Sequence, residues 1–198
     1  MIKKDSILEF QQLVDEHDQK FGSHMFDLID NRFFEYLEEG GFFTAPASTK
    51  YHGAYEGGLY AHSRKVYKRL RDMTVNNRII WLRPESPFIV GMFHDLCKCD
   101  QYKLVQGAEA EVLGQKVIVE GSHYEYNDSM LLKGHGAKSV MILSQFINLT
   151  EEELLCIRYH MGPYEKDEWA EYDRAISEYE TVCWTHHADM LASKVDGV

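Results

Sequence analysis

Gly91-Met92-Phe93-His94-Asp95-Leu96-Cys97-Lys98 places a histidine and a carboxylate side by side at the end of an apolar run. Phe88 to Cys97 is almost entirely apolar and reads as a buried helix that carries the pair. A buried aspartate needs a partner, because an unpaired charge away from water is costly. Imidazole and carboxylate together suit a borderline or hard dication. The dipeptide alone decides nothing: the chain has ten histidines, and a second His-Asp occurs at His17-Asp18. Its meaning depends on which other side chains converge on it.

Working outward, Leu59 to Met73 reads as a helix with His62, Val66, Leu70 and Met73 on one face, so His62 points inward. Arg64, Lys65, Lys68, Arg69 and Arg71 fall mostly elsewhere around it, as a solvated face or as a positive rim for an anionic substrate. Downstream, helices resume at Gly134. His135 shares a face with Ser139, Ile142, Leu143 and Phe146 and sits at the helix start. Thr150-Glu151-Glu152-Glu153 is a capping box. His160 continues the face of Leu154 and Ile157 at the end of that helix. A last long helix over 173–194 carries Val182, His186, Asp189 and Ser193. His62, His94, Asp95, His135, His160 and Asp189 are thus six metal-ligand side chains placed on inner faces or inner ends. Neutral imidazole and carboxylate are typical ligands of Zn, Fe, Mn or Ni, and a shared carboxylate permits a two-metal site.

The remaining segments read more plainly. Ser6 to Gln19 is a helix, with Ser6 and Glu9 as a capping box. Phe26 to Glu38 is a second helix, stopped by Gly40-Gly41. His17 and His24 read as surface side chains. Phe42 to Glu56 is a loop, and its Gly57-Gly58 allows a close backbone approach before the next helix. Within 102–127, Lys116 to Glu120 and His123 to Asn127 alternate around Gly121-Ser122, which reads as a small β-hairpin insertion. His123 belongs to that ribbon. Tyr164 to Tyr172 reads as a charged loop.

Composition sets bounds. The 198 residues, 44% hydrophobic and 27% charged, fit one helix-rich domain with an N-terminal helical extension over 1–49 and a main domain over 50–198. The net charge of −11 argues against the broad basic surface that holds duplex DNA. It leaves room for an anionic substrate, since bound dications reverse the local sign. Cys97 and Cys99 form C-x-C, and Cys156 and Cys183 stand apart. That spacing suits neither a zinc knuckle nor a disulfide framework and implies buried thiols in a reducing cytoplasm. No apolar run approaches the ~20 residues of a membrane span, and the N-terminus does not read as a signal peptide.

The order His62 … His94-Asp95 … Asp189 resembles the HD superfamily of metal-dependent phosphohydrolases, whose motif is H…HD…D on an all-helical core. His135 and His160 resemble the additional histidines of its dinuclear branch. The segment His52-Gly53-Ala54-Tyr55-Glu56-Gly57-Gly58-Leu59-Tyr60-Ala61-His62 resembles the stretch before the first ligand in bacterial HD-domain 3′-to-5′ exoribonucleases. Gly134 to Ser139, Arg158 to Gly162 and His187-Ala188-Asp189 resemble small bacterial and prophage HD hydrolases. The resemblance implies an all-α bundle and a first metal on His62, His94, Asp95 and Asp189. It implies a second on His135 and His160, bridged by Asp95, the ions being Mn, Fe, Zn, Ni or Mg. Lys98 matches the family's HDxxK lysine and would reach phosphate oxygens or the leaving group.

Two departures matter: Gly58 stands where members with a third metal have glutamate, and Met161 where they often have a second histidine. The implied activity is hydrolysis of a phosphoester in a nucleotide or oligonucleotide by a metal-activated water, with Asp95 and Lys98 in the chemistry. Tyr51, His52 and Arg64 are candidates for substrate contact. His186 and His187, beside Asp189, read as supporting residues. The rivals are a 3′-to-5′ exonuclease on single strands, whose relatives carry a nucleic-acid-binding domain that residues 1–49 do not resemble, and a non-catalytic nucleotide-binding module. An oligomer is compatible with all of them.

Overall fold

The computed structural model describes residues 2–107, 109–112, 115–118, 121–163 and 168–198. They form α1 (Ile2–Phe21), α2 (Met25–Leu28), α3 (Asn31–Glu39), α4 (Gly58–Asn77), α5 (Ser86–Phe93), a four-strand insertion, α6 (Gly136–Leu143), α7 (Glu151–Arg158), α8 (Trp169–Glu178) and α9 (Glu180–Lys194). The fold is all-helical apart from that insertion.

An aromatic cluster fills the core. Phe10 of α1 meets Phe43 edge-on at 5.7 Å and Phe88 of α5 at 5.9 Å. Phe33 of α3 meets Phe93 at 5.0 Å. The first forty residues therefore bury their apolar stripe against the same helix that ends in His94. All eight residues of α5 are buried, which is why its sequence shows no polar face. At its start, Glu153 of α7 is fully buried. It closes the Thr150 capping box, accepts Ser86 Oγ at 2.8 Å and takes both arms of the Arg83 guanidinium at 2.8 and 2.7 Å. This fork fixes the N-terminal ends of α5 and α7 together.

Several boundaries differ from the sequence expectations. α1 starts at Ile2, so Ser6 lies inside the helix and caps nothing. The expected helix over 26–38 breaks at Ile29: the Asp30 side chain accepts from Phe33 N at 2.8 Å and starts α3 afresh. Phe26 is left exposed. The last helix is two helices parted at Tyr179, whose backbone is extended. Trp169 to Tyr172, expected as loop, open α8, while Tyr164 to Asp167 lie outside the described residues. In the insertion, β4 (His123–Tyr126) pairs with β1 (Tyr102–Val105), and β3 (Gln115–Ile118) with β2 (Glu109–Val112). The pairing is nested along the chain, β2–β3 falling between β1 and β4, in two separate two-stranded sheets. Gly121-Ser122 is therefore not the turn between 116–120 and 123–127; Val119 and Glu120 lie outside the described residues.

His17 is a correction of substance. It is fully buried rather than at the surface. Nε2 donates to the Pro84 carbonyl at 2.9 Å, so Nδ1 accepts from the Tyr67 hydroxyl at 3.1 Å, and Phe21 lies 4.6 Å from the ring. Burial pushes its pKa down, against the pull of the Pro84 carbonyl, Asp18 and Glu85 and with the push of Arg71. The folded state thus favours the neutral ring. Its contribution is complete above the unfolded pKa of ~6.5 and is lost as the pH falls below it, because the unfolded chain then binds more protons. Urea midpoints at pH 7.5 and 5.5 are expected to fall more with acid in the wild type than in His17→Gln. Equal losses would show that His17 does not carry the effect.

Candidate metal centre

Five elements deliver the six side chains. His62 lies in the second turn of α4. His94 is the C-cap of α5, and Asp95 links it to a 3-10 turn over Leu96–Cys99 that carries Lys98. His135 is the N-cap of α6, His160 follows α7 by two residues, and Asp189 faces inward from α9. Gly136 brings His135 against His160: a Cβ there would sit 2.3 Å from the Arg158 carbonyl oxygen.

The six converge. His62 Nε2 is 3.3 Å from His94 Nε2 and 3.0 Å from Asp189 Oδ1. His160 Nε2 is 3.1 Å from His135 Nε2. Asp95 divides its oxygens between the two groups. Oδ2 lies 3.5 Å from His62 and 3.4 Å from His94, and Oδ1 lies 3.2 Å from His135 and 3.4 Å from His160. Lys98 Nζ is 2.7 Å from Asp95 Oδ2. All but His135, which is 30% exposed, are buried.

Backbone contacts fix the tautomers of three of the rings. His62 Nδ1 reaches the Val198 carbonyl at 2.9 Å, His94 Nδ1 that of Gly91 at 3.0 Å, and His160 Nδ1 that of Ile157 at 2.7 Å. A carbonyl only accepts, so each neutral ring carries its proton on Nδ1 and turns a lone pair at Nε2 inward. Lone pairs and carboxylates facing one another at this range need positive charge between them. Donor atoms on one ion, with bonds of ~2.0–2.2 Å, lie about 3 Å apart, which matches these separations. His62, His94 and Asp189 form one group able to hold an ion. His94, Asp95 and His160 form a second, and Asp95, Cys97 and His135 a third.

Electrostatics agree with the donor set. Burial pushes His94 and His135 down, His135 to about 4, against the attraction of Asp95. Burial would raise Asp95, but Lys98, His94, His135 and the close contact with His160 outweigh it and hold the carboxyl well below its usual range. Asp189 is lowered in the same way, by its close contact with His62 and the charges around it. His160 goes the other way: its contact with Asp95 overcomes burial and raises it. Neutral rings and ionised carboxylates are the forms that bind metal; a proton on His160 competes for the same place.

Over this cluster opens a cavity of about 690 Å³ lined by Tyr51, His52, Lys98, His135 and Asp189 among others. His52 is half-buried, its ring 5.3 Å from that of His62. Arg64 is not brought to the cavity: its guanidinium pairs with Glu9 at 2.6 Å, and Lys68 also reaches that carboxylate at 3.6 Å. The nearby basic residues of α4 are thus spent on acids of this chain. His186 Nδ1 bonds the His160 carbonyl at 2.8 Å, a supporting contact. His187 bonds Cys183 O within its own helix.

Two supporting groups were invisible in the sequence. Cys97 Sγ sits 3.2 Å from His135 Nδ1, the nitrogen that lacks a carbonyl partner. Burial raises this thiol to about 12, so it stays protonated. The second is the Val198 carbonyl. Its segment is tied down by Asp196, which accepts from Arg69 Nε at 2.8 Å and Nη2 at 2.5 Å. Partners that orient a ligating histidine are worth about 10–100-fold in metal affinity. Arg69→Ala and Asp196→Ala are each expected to weaken Mn²⁺ binding by about that factor, with recovery in the charge-swapped Arg69→Asp/Asp196→Arg pair. An unchanged dissociation constant in both single variants would rule the tether out as the support of His62.

A helical fold with a buried His/Asp cluster able to hold metal, compatible with an HD-type site, is the class defined here. Comparison of the chain with protein-family models, curated proteins and solved structures found no match.

Proposed function

We propose that the protein is a metal-dependent phosphohydrolase of the HD type, acting on a phosphoester of a nucleotide or a short single-stranded oligonucleotide. The observation that carries this reading is the pair of Asp95 oxygens. Each lies within 3.5 Å of two inward Nε2 atoms, so one carboxylate would serve two adjacent cation positions. Bound there, divalent ions supply Lewis acidity and a hydroxide nucleophile at neutral pH.

The chain's own residues do the rest. Lys98, buried against Asp95 and lining the cavity, would offer an ammonium to an incoming phosphate oxygen. Its pKa is raised, since the pull of Asp95 outweighs burial, so it stays charged throughout the neutral range. His52, with no hydrogen bond to its ring among the described residues, is available to the ester. No serine or cysteine nucleophile is required where water is the attacking group.

The purified protein is expected to retain divalent transition metal by elemental analysis and, with Mn²⁺, to release product from nucleotide esters or single-stranded RNA. Protein that takes up none of Mn²⁺, Zn²⁺ or Fe²⁺ would falsify the reading.

A further inference from the structure

The cavity above the cluster has two chemically different halves. Its base is Lys98, His135 and Asp189, while its outer wall holds Tyr102, Tyr126 and the thioethers of Met161 and Met190. Tyr102 and Tyr126 are direct cross-strand partners in the β1–β4 ribbon. Their rings stand 6.3 Å apart, nearly edge to face at 78°.

The ribbon is fastened to the segment that carries Lys98. Asn127 N bonds the Gln101 carbonyl, and Asn127 Nδ2 the Asp100 carbonyl, each at 2.9 Å. Gln101 Nε2 donates to the Tyr102 hydroxyl at 2.9 Å and holds that ring in place. Tyr126 is nonetheless 41% exposed, and Tyr51 on the facing loop is 82% exposed. These rings are built into the pocket without being consumed by packing. Gln101, Tyr102 and Tyr126 also line a second cavity, of about 620 Å³, that continues past them to Lys50. The tyrosine pair therefore stands between a space over the metal centre and a space beyond it.

A phosphate alone would need only the base of the pocket. The wall adds aromatic faces, on which planar rings stack with little regard to their identity. A volume of 690 Å³ lies within the ~300–1,000 Å³ of small-molecule sites. An acyl chain is the rival occupant of an apolar wall. Here Gln101, Ser48, Ser193 and the tyrosine hydroxyls put polar groups into the lining, which an acyl chain would leave without partners.

We infer that Tyr102 and Tyr126 form a base platform, so that the pocket takes a nucleoside phosphate ester with its phosphate toward Lys98 and its base on the tyrosine pair. The phosphate half of this assignment rests on the phosphohydrolase reading; the base half rests on the ribbon alone. A free nucleotide and the end of a single strand share this chemistry.

The test compares non-hydrolysable phosphonate analogues of adenosine and uridine monophosphates with methylphosphonate, by calorimetry on the Mn²⁺-supplemented protein. Both nucleoside analogues are expected to bind at least about ten-fold tighter than methylphosphonate, in line with one stacked base. That ratio should collapse toward one in Tyr102→Ala/Tyr126→Ala and persist in Tyr102→Phe/Tyr126→Phe, with metal content unchanged. Equal binding of nucleoside analogues and methylphosphonate, or a ratio that survives the double alanine variant, overturns the platform. Loss of metal dependence in methylphosphonate binding, with the ratio intact, would instead sink the phosphohydrolase reading and leave the platform standing. A phosphonate-linked dinucleotide separates the sources, and either result supports the platform. Added affinity that Lys50→Ala removes points to a strand entering the second cavity, and no added affinity points to a free nucleotide.

Discussion

Asp95→Ala is expected to empty the metal centre and lower any phosphohydrolase rate by about a thousand-fold or more, the equivalent of about 4 kcal/mol of transition-state charge stabilisation. Among the described residues, no other side chain has both oxygens in the cluster: Oδ2 faces His62, His94 and Lys98, and Oδ1 faces His135 and His160. The variant has a second consequence. Lys98 is only 7% exposed, and Asp95 is its partner at 2.7 Å. Removing one member of a buried pair strands the other at a cost of about 3–5 kcal/mol. Metal loss could therefore reflect general destabilisation. Lys98→Met in the Asp95→Ala background separates the two effects, since it removes the stranded charge. The double variant is expected to regain most of its urea resistance without regaining metal. Recovery of metal along with stability would show that Asp95 acts through the fold and is no ligand.

Much of this arrangement could be read from the chain, for a physical reason. Helical spacing fixes which residues share a face, so His62 with Val66 and Leu70, or Asp189 seven residues after Val182, could be assigned inward from local pattern alone. The Thr150 box was legible because a cap is made by its own next three residues. What escaped depends on distant segments. His17 looks like a surface residue within α1, and only Tyr67, Phe88 and Pro84 make its site buried. The partner of β4 is β1, some twenty residues away, and Gly121-Ser122 offered a nearer turn that the chain does not use. Arg64 was a reasonable substrate contact until Glu9, on another helix, took its guanidinium. Cys97 and the Val198 carbonyl support His135 and His62 through tertiary contacts that no spacing encodes.

The close approach of α4 and α5 leads to the second large effect, which involves no ligand at all. Gly91 lies where the helices touch. A Cβ there would sit 2.5 Å from Tyr67 Cα, 2.9 Å from its Cβ and 3.0 Å from its N. Two of those are backbone atoms, so no rotamer change relieves the clash and the helices must separate. Gly91→Ala is expected to cost about 1–3 kcal/mol, as overpacking does, and to lower the melting temperature by roughly 2–12 °C for a chain of this size. The separation falls where the centre has least slack. His94 lies one turn after Gly91 and takes its orientation from the Gly91 carbonyl, while His62 is carried by α4. Their Nε2 atoms, now 3.3 Å apart, would be pushed out of range of a common ion. Metal affinity is thus expected to fall together with stability, although the substituted atom touches no ligand. Phe33→Leu, a core change on α3 that alters no residue of α4 or α5, provides the comparison. It should lower the melting temperature while leaving Mn²⁺ affinity near wild type. If both variants lost affinity in proportion to stability, the spacing of α4 and α5 would not be what sets the distance between the histidines.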